Sequence, residues 1–204
     1  MNRAERIKFI SSKLDEYFPN PPIPLIHENT YTLLIAVLLS AQCTDARVNQ
    51  VTPILFKKAK TPEAMIKLKV ETIMEIVKPC GFFRTKGTNI FNLSKILIEK
   101  HQGQVPRSFE ELEALPGVGH KTASVVMSHA FKIPAFPVDT HIHRLAKRFG
   151  LSNGSSVEQT EKDLKKIFPK EEWEKRHLQF IYFGRNFCKA RGHVVSECPI
   201  CKGL

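Results

Sequence analysis

Leu115-Pro116-Gly117-Val118-Gly119-His120-Lys121-Thr122-Ala123 is the stretch on which the reading of this chain turns. Upstream, Ser108 with Glu111 has the spacing of a capping box, so a helix begins there and the proline ends it. Two glycines two residues apart allow a tight turn with outward-facing amides. A second helix then starts near His120 and runs through Val125, Val126 and His129. The order is helix, glycine turn, helix. First-turn N–H groups have no carbonyl partner within their helix, and the helix dipole is positive there, so such a turn attracts anions. Gly117, Val118, Gly119, His120 and Thr122 would form that site. A nucleotide-binding P-loop is a poor match. It needs glycine directly before the lysine, another glycine five residues back, and a preceding strand. Here His120 precedes Lys121, Glu113 or Ala114 stands further back, and a helix leads in. The turn alone also fits a helical corner with no ligand.

Charge says what the anion is. Lys and Arg number 31 against 20 Asp and Glu, a formal net charge of +11. That excess favours an acidic partner, nucleic acid ahead of a membrane surface, and the anion would then be a backbone phosphate. The 204 residues allow one domain or two small ones, and 42% hydrophobic with 25% charged residues is ordinary globular composition. The longest apolar run, Leu33–Leu39, is far short of a membrane span, and the charged N-terminus does not resemble a signal peptide. A soluble cytoplasmic protein is expected, as a monomer. Five cysteines are then expected to be reduced, and an odd count argues against a disulfide framework.

Outward from the turn the pattern is helical. Ile7, Ile10, Leu14 and Tyr17 recur at spacings of 3, 4 and 3. Pro19, Pro21, Pro22 and Pro24 end that helix. Tyr31–Ser40 is apolar all round, the mark of a buried helix. Thr44, Thr61 before Pro62, and Ser155 with Glu158 signal further helix starts. Ile90, Leu93 and Leu97 make another stripe, and Gly103 and Gly150 fit positions just past helix ends. No alternating strand pair stands out. Boundaries are expected in the proline-rich stretch near 19–24 and at Ile133–Pro137.

Three segments in order resemble the endonuclease III family of DNA glycosylases. They are the Leu115–Ala123 hairpin, Val138-Asp139-Thr140-His141 placed so that Asp139 lies 18 residues after Lys121, and Leu38-Leu39-Ser40-Ala41-Gln42-Cys43-Thr44-Asp45. The resemblance covers about residues 2 to 190. It implies an all-α fold of two helical lobes with a helix–hairpin–helix and an interlobe DNA-binding cleft. A helical barrel would span 23–133, and residues 1–22 with 134–204 would form the second lobe. It implies damaged double-stranded DNA as partner and base excision repair as activity. Oxidised pyrimidines would be removed through a lysine Schiff base and the strand nicked by β-elimination. Alternatives are a monofunctional mismatch glycosylase of the same fold, which lacks the lysine, and a non-catalytic helix–hairpin–helix DNA-binding module.

By that resemblance Lys121 is the nucleophile. An ordinary lysine is an ammonium at neutral pH, but the first turn of a helix favours the neutral amine. Asp139 would be the catalytic carboxylate, able to stabilise positive charge at C1′ and to relay protons. Its bland reading is a helix N-cap. Asp139, His141 and His143 cannot converge on a metal if the segment is helical, because residues two apart diverge around the axis. Gln42 is implied to fill the hole left by an extruded base, with Phe82 as an apolar wedge, although Phe82 also reads as core. Arg84 and Lys86 would suit backbone phosphates.

The C-terminal cysteines depart from the family. Its [4Fe–4S] spacing C-x6-C-x2-C-x5-C, counted from Cys188, falls on Cys188, Val195, Cys198 and Leu204, so two of four ligands are missing. Cys188, Cys198 and Cys201 are candidate ligands, and His193 could complete a tetrahedral set with them. The expectation is that no metal is bound, with no cofactor required for the chemistry. Such a loss would leave the order of the basic tail residues Lys189 and Arg191 in doubt.

Overall fold

A computed structural model describes residues 1–204, and every regular element in it is helical. The α-helices are α1 (Arg3–Tyr17), α2 (Thr30–Ser40), α3 (Asp45–Lys58), α4 (Pro62–Met65), α5 (Val70–Val77), α6 (Phe83–His101), α7 (Phe109–Glu113), α8 (His120–Phe131), α9 (Thr140–Arg148), α10 (Val157–Ile167) and α11 (Trp173–Asn186). The all-α expectation holds. The chain divides into two compact units, Ile23–Ile133 and Met1–Pro22 with Pro134–Leu204. No helix is long and apolar enough to cross a membrane.

In Ile23–Ile133, α2 is the centre. Asn29 caps it in a reciprocal box with Thr32, and every residue from Tyr31 to Leu39 is buried. Its uniform apolarity is therefore the mark of a helix surrounded on all sides. Helices α8, α3 and α6 pack against it, and Ile73 and Val77 of α5 with Ile90, Leu93 and Leu97 of α6 belong to the same buried core. Thr44, Thr61 and Ser108 each cap the helix they were expected to start. Gln102 and Gly103, both at positive φ, end α6.

In the other unit, α1 packs its buried Ile10 and Leu14 with Phe149, Phe180 and Phe183. The Ser155 cap is off by one residue. Ser156 is the N-cap of α10 and its side chain accepts from the Gln159 amide, so Gln159 rather than Glu158 occupies the third helical position. Glycine at 150 has φ +66, and this conformation lets the chain turn out of α9.

A polar network ties α1 to α11. Asp15 accepts from Lys175 at 2.6 Å, from Arg176 at 3.0 and 3.1 Å, and from Gln179 at 3.0 Å. Burial by itself would raise the Asp15 carboxyl, but the hydrogen bonds from Lys175, Gln179 and Arg176 outweigh it and hold it at about 2, against an ordinary 3.8. The folded chain thus binds this proton less tightly than the unfolded chain. The resulting stability is present above the unfolded value and is lost as pH falls through about 2. The Asp15 side chain is 40% exposed, so solvent screening limits the contribution to about 1 kcal/mol. Asp15→Asn should lose about that much at pH 7 and almost nothing near pH 2. Urea unfolding at the two pH values checks it.

Candidate active site and metal centre

The glycine turn is built as its sequence requires. Gly117 has φ +79, and a Cβ there would stand 2.6 Å from Asn89 Nδ2, so both backbone and space demand glycine. Gly119 differs. Its φ is −94, and an added Cβ would meet nothing within 4 Å. Nothing in the surrounding fold requires glycine at this position. Gly119 is the N-cap of α8 and supplies no side-chain cap, so the first-turn amides have no acceptor from that position. Lys121 is exposed in that first turn. His120 Nδ1 lies 2.7 Å from Glu113 Oε1, and its ring stacks on Phe109 at 5.4 Å, bracing α7 against α8. Thr122 is half-buried. Val118 contributes differently from the expectation. Its side chain is buried and its N–H donates to the Leu115 carbonyl, so it packs the turn rather than offering a donor. A helix leads into the turn, which removes the P-loop alternative.

Gln42 and Phe82 lie beside a recess of about 200 Å³ that Gly117 and Asn89 also line. Both are left-handed, at φ 53 and 47. Phe82 is 65% exposed, which removes the core alternative for it. Arg84 is exposed and lies along the Phe83 ring at 5.6 Å. Lys86 corrects the expectation of a phosphate contact. It is only 6% exposed, and its Nζ donates to backbone carbonyls. No sequence signal separated it from a surface lysine, because its acceptors are backbone groups up to 47 positions away.

In the other unit, Asp139 is the N-cap of α9. Its Oδ1 accepts from the Ile142 amide at 2.8 Å, and this bond fixes the rotamer of a half-buried carboxylate. His143 bonds Thr160 and His141 lies beside Arg144, as expected for helical residues that diverge.

The expectation of a metal-free tail is overturned. One ligand atom from each of Cys188, His193, Cys198 and Cys201 lies within 4.8 Å of the others. Cys188 Sγ and Cys201 Sγ are 3.9 Å apart, and the Cys201 amide donates to Cys198 Sγ at 3.5 Å. Arg148 donates to Cys188 Sγ at 3.0 Å. Both ring nitrogens of His193 are shielded from solvent, and neither closes a hydrogen bond of ordinary geometry. The family register failed at Val195 and Leu204, and both are exposed. His193 and Cys201 stand instead beside Cys188 and Cys198 in the cluster. These are the four residues that the alternative spacing from Cys188 had offered, and the short helical turn Val195–Glu197 lies between His193 and Cys198. Burial pushes the Cys188 and Cys201 thiols up and the His193 imidazole down.

Residues 35–170 match the family model described as HhH-GPD superfamily base excision DNA repair protein. The chain is 45% identical to endonuclease III of Bacillus subtilis over 201 residues, covering 98% of this chain and 92% of that protein. It is 43% identical to endonuclease III of Escherichia coli K12 over 200 residues, covering 98% and 94%. Among solved structures, a non-covalent endonuclease III–DNA complex superposes with a TM-score of 0.94 at 45% identity over 99% of this chain and 95% of that one. A trapped covalent endonuclease III–DNA intermediate gives 0.93 at 45% identity, covering 98% and 94%. With the hairpin, the capped aspartate and near full-length identity in agreement, this chain belongs to the endonuclease III family within the HhH-GPD superfamily of base excision DNA repair proteins.

Proposed function

We propose that the chain is a bifunctional DNA glycosylase and AP lyase that excises oxidised pyrimidines from double-stranded DNA in the cell's chromosome. Lys121 would be its nucleophile and Asp139 its catalytic carboxylate. The observation that carries this reading is an exposed lysine in the first turn of α8, directly behind a two-glycine turn whose outer glycine is sterically unnecessary to the fold. Gly117, Gly119 and the first-turn amides of His120 and Thr122 suit a DNA phosphate at the helix N-terminus.

Lys121 Nζ attacks C1′ of the damaged nucleoside. The bond from C1′ to the base breaks, and the base leaves with that electron pair and takes up a proton. The Asp139 carboxylate stabilises positive charge on the sugar, takes the proton that Nζ loses and passes one to O4′ as the C1′–O4′ bond breaks, which opens the ring and leaves the imine. Loss of a C2′ proton expels the 3′ phosphate, which breaks the strand. Water then hydrolyses the imine and frees Lys121. Gln42 would occupy the space of the extruded base, and Phe82 would wedge the stack. A flanking oligonucleotide assay on thymine glycol and abasic duplexes tests the reaction. A chain that binds both and cuts neither would be a binding module instead.

The tail fits a metal group. Three thiols and an imidazole are the donors of structural zinc sites, and such donors also occur in iron–sulfur centres. Cys188, His193, Cys198 and Cys201 would hold it, and the bound group would supply folding energy to the tail rather than chemistry at the sugar. A group bound at a hundredfold above its Kd adds about 2.7 kcal/mol. His193→Ala should therefore lower stability by about that amount and reduce the bound metal, as read by metal and sulfide analysis beside thermal unfolding. Full metal retention in that variant would contradict the assignment.

A further inference from the structure

Lys86 is a buried charge that the excision chemistry does not use. Its Nζ donates to the carbonyls of Leu39, Ala41 and Cys80, each at 2.9 Å. An ammonium has three donors, and three acceptors take them. Leu39 and Ala41 lie at the C-terminal end of α2, where helical carbonyls lack partners and the dipole is negative. Cys80 ends the short turn Lys78–Cys80. A cation is the group that can close both ends at once.

The two segments it joins carry the two exposed tips. Gln42 directly follows Ala41, and Phe82 stands two residues after Cys80. Both are non-glycine residues at positive φ. The other two such residues, Gln102 and Lys132, are C-caps of α6 and α8, an ordinary place for that conformation. Phe82 is instead the N-cap of α6, without a capping side chain, and its ring is mostly in solvent. A strained, exposed aromatic persists only where its surroundings over-determine it. Asn89, one turn along α6 from Lys86, lies under Gly117. The first turns of α6 thus form a floor shared by both tips and the hairpin glycine.

We propose that Lys86 is a positioning residue for duplex entry, holding Gln42 and Phe82 at one fixed spacing so that both enter the base stack together. The proposal rests on the wedge roles given above to those two residues. Prior fixation removes the cost of ordering two independent loops when DNA binds.

Lys86→Met keeps the apolar stem and removes all three donors. Stack opening is followed by 2-aminopurine fluorescence next to the lesion in a duplex. The lyase step is followed on an abasic site in single-stranded DNA, where there is no stack to enter. Duplex opening should fall about tenfold while single-strand cleavage stays within about twofold. In a Gln42→Ala/Phe82→Ala background, Lys86→Met should cost no further opening, because its effect passes through those tips. An additive loss, or unchanged opening in the single variant, overturns the proposal. If Gln42→Ala/Phe82→Ala itself opens the duplex normally, the wedge reading falls as well. Should Lys86→Met not fold, Lys86→Gln, whose two N–H donors cannot satisfy all three carbonyls, carries the same comparison with a smaller expected loss of opening, and unchanged opening in it overturns the proposal.

Discussion

Lys121→Ala should bind a thymine glycol duplex nearly as tightly as the unaltered chain and cut it not at all. Binding is carried by many phosphate contacts, each adding about 0.9 to the slope of log affinity against log salt, and Lys121, aimed at C1′ rather than at a phosphate, should leave that slope nearly unchanged when removed. Cutting depends on one atom. Without Nζ no imine forms, the C2′ proton is not activated, and the strand break falls by at least about a thousandfold. The side chain is exposed in the first turn of α8, and alanine is a better helix former, so the fold should be unaffected. Gel-shift titrations at two salt concentrations beside single-turnover cleavage separate the two effects.

Asp139→Asn carries the second large effect, and the structure makes this substitution informative. Asp139 caps α9 through its bond from the Ile142 amide. Asparagine caps a helix about as well as aspartate, so the variant should lose at most a few tenths of a kcal/mol of stability. It cannot carry negative charge or accept a proton in the same way. Cleavage should therefore fall about a hundredfold or more at unchanged melting temperature. If Asp139→Asn and Asp139→Ala lose activity only in proportion to lost stability, the aspartate is a cap and nothing more.

Much of this was legible because it is local. The Tyr31–Ser40 run declared a buried helix, and α2 is buried from Tyr31 to Leu39. The glycine pair declared a turn, and its first member is held at φ +79 against Asn89. What stayed hidden is non-local. Lys86 looks like any surface lysine until α2 and the Lys78–Cys80 turn bring three carbonyls to it. At the tail the four residues were legible and their convergence was not: spacing offered Cys188, His193, Cys198 and Cys201 as a set, but only the fold shows that their ligand atoms lie within 4.8 Å of one another. Phe82 illustrates the intermediate case. An aromatic in Gly81-Phe82-Phe83 reads equally as core or wedge, and only its 65% exposure decides between them. Ser155 and Ser156 are neighbours of the same type, and pattern alone chose the wrong one.

The covalent step is open to direct capture. Incubated with an abasic duplex and borohydride, the chain should yield a reduced protein–DNA adduct, and proteolytic mapping should place the DNA on Lys121. Lys121→Ala should give none. No adduct from the unaltered chain, or one that persists in the variant, would contradict the imine account.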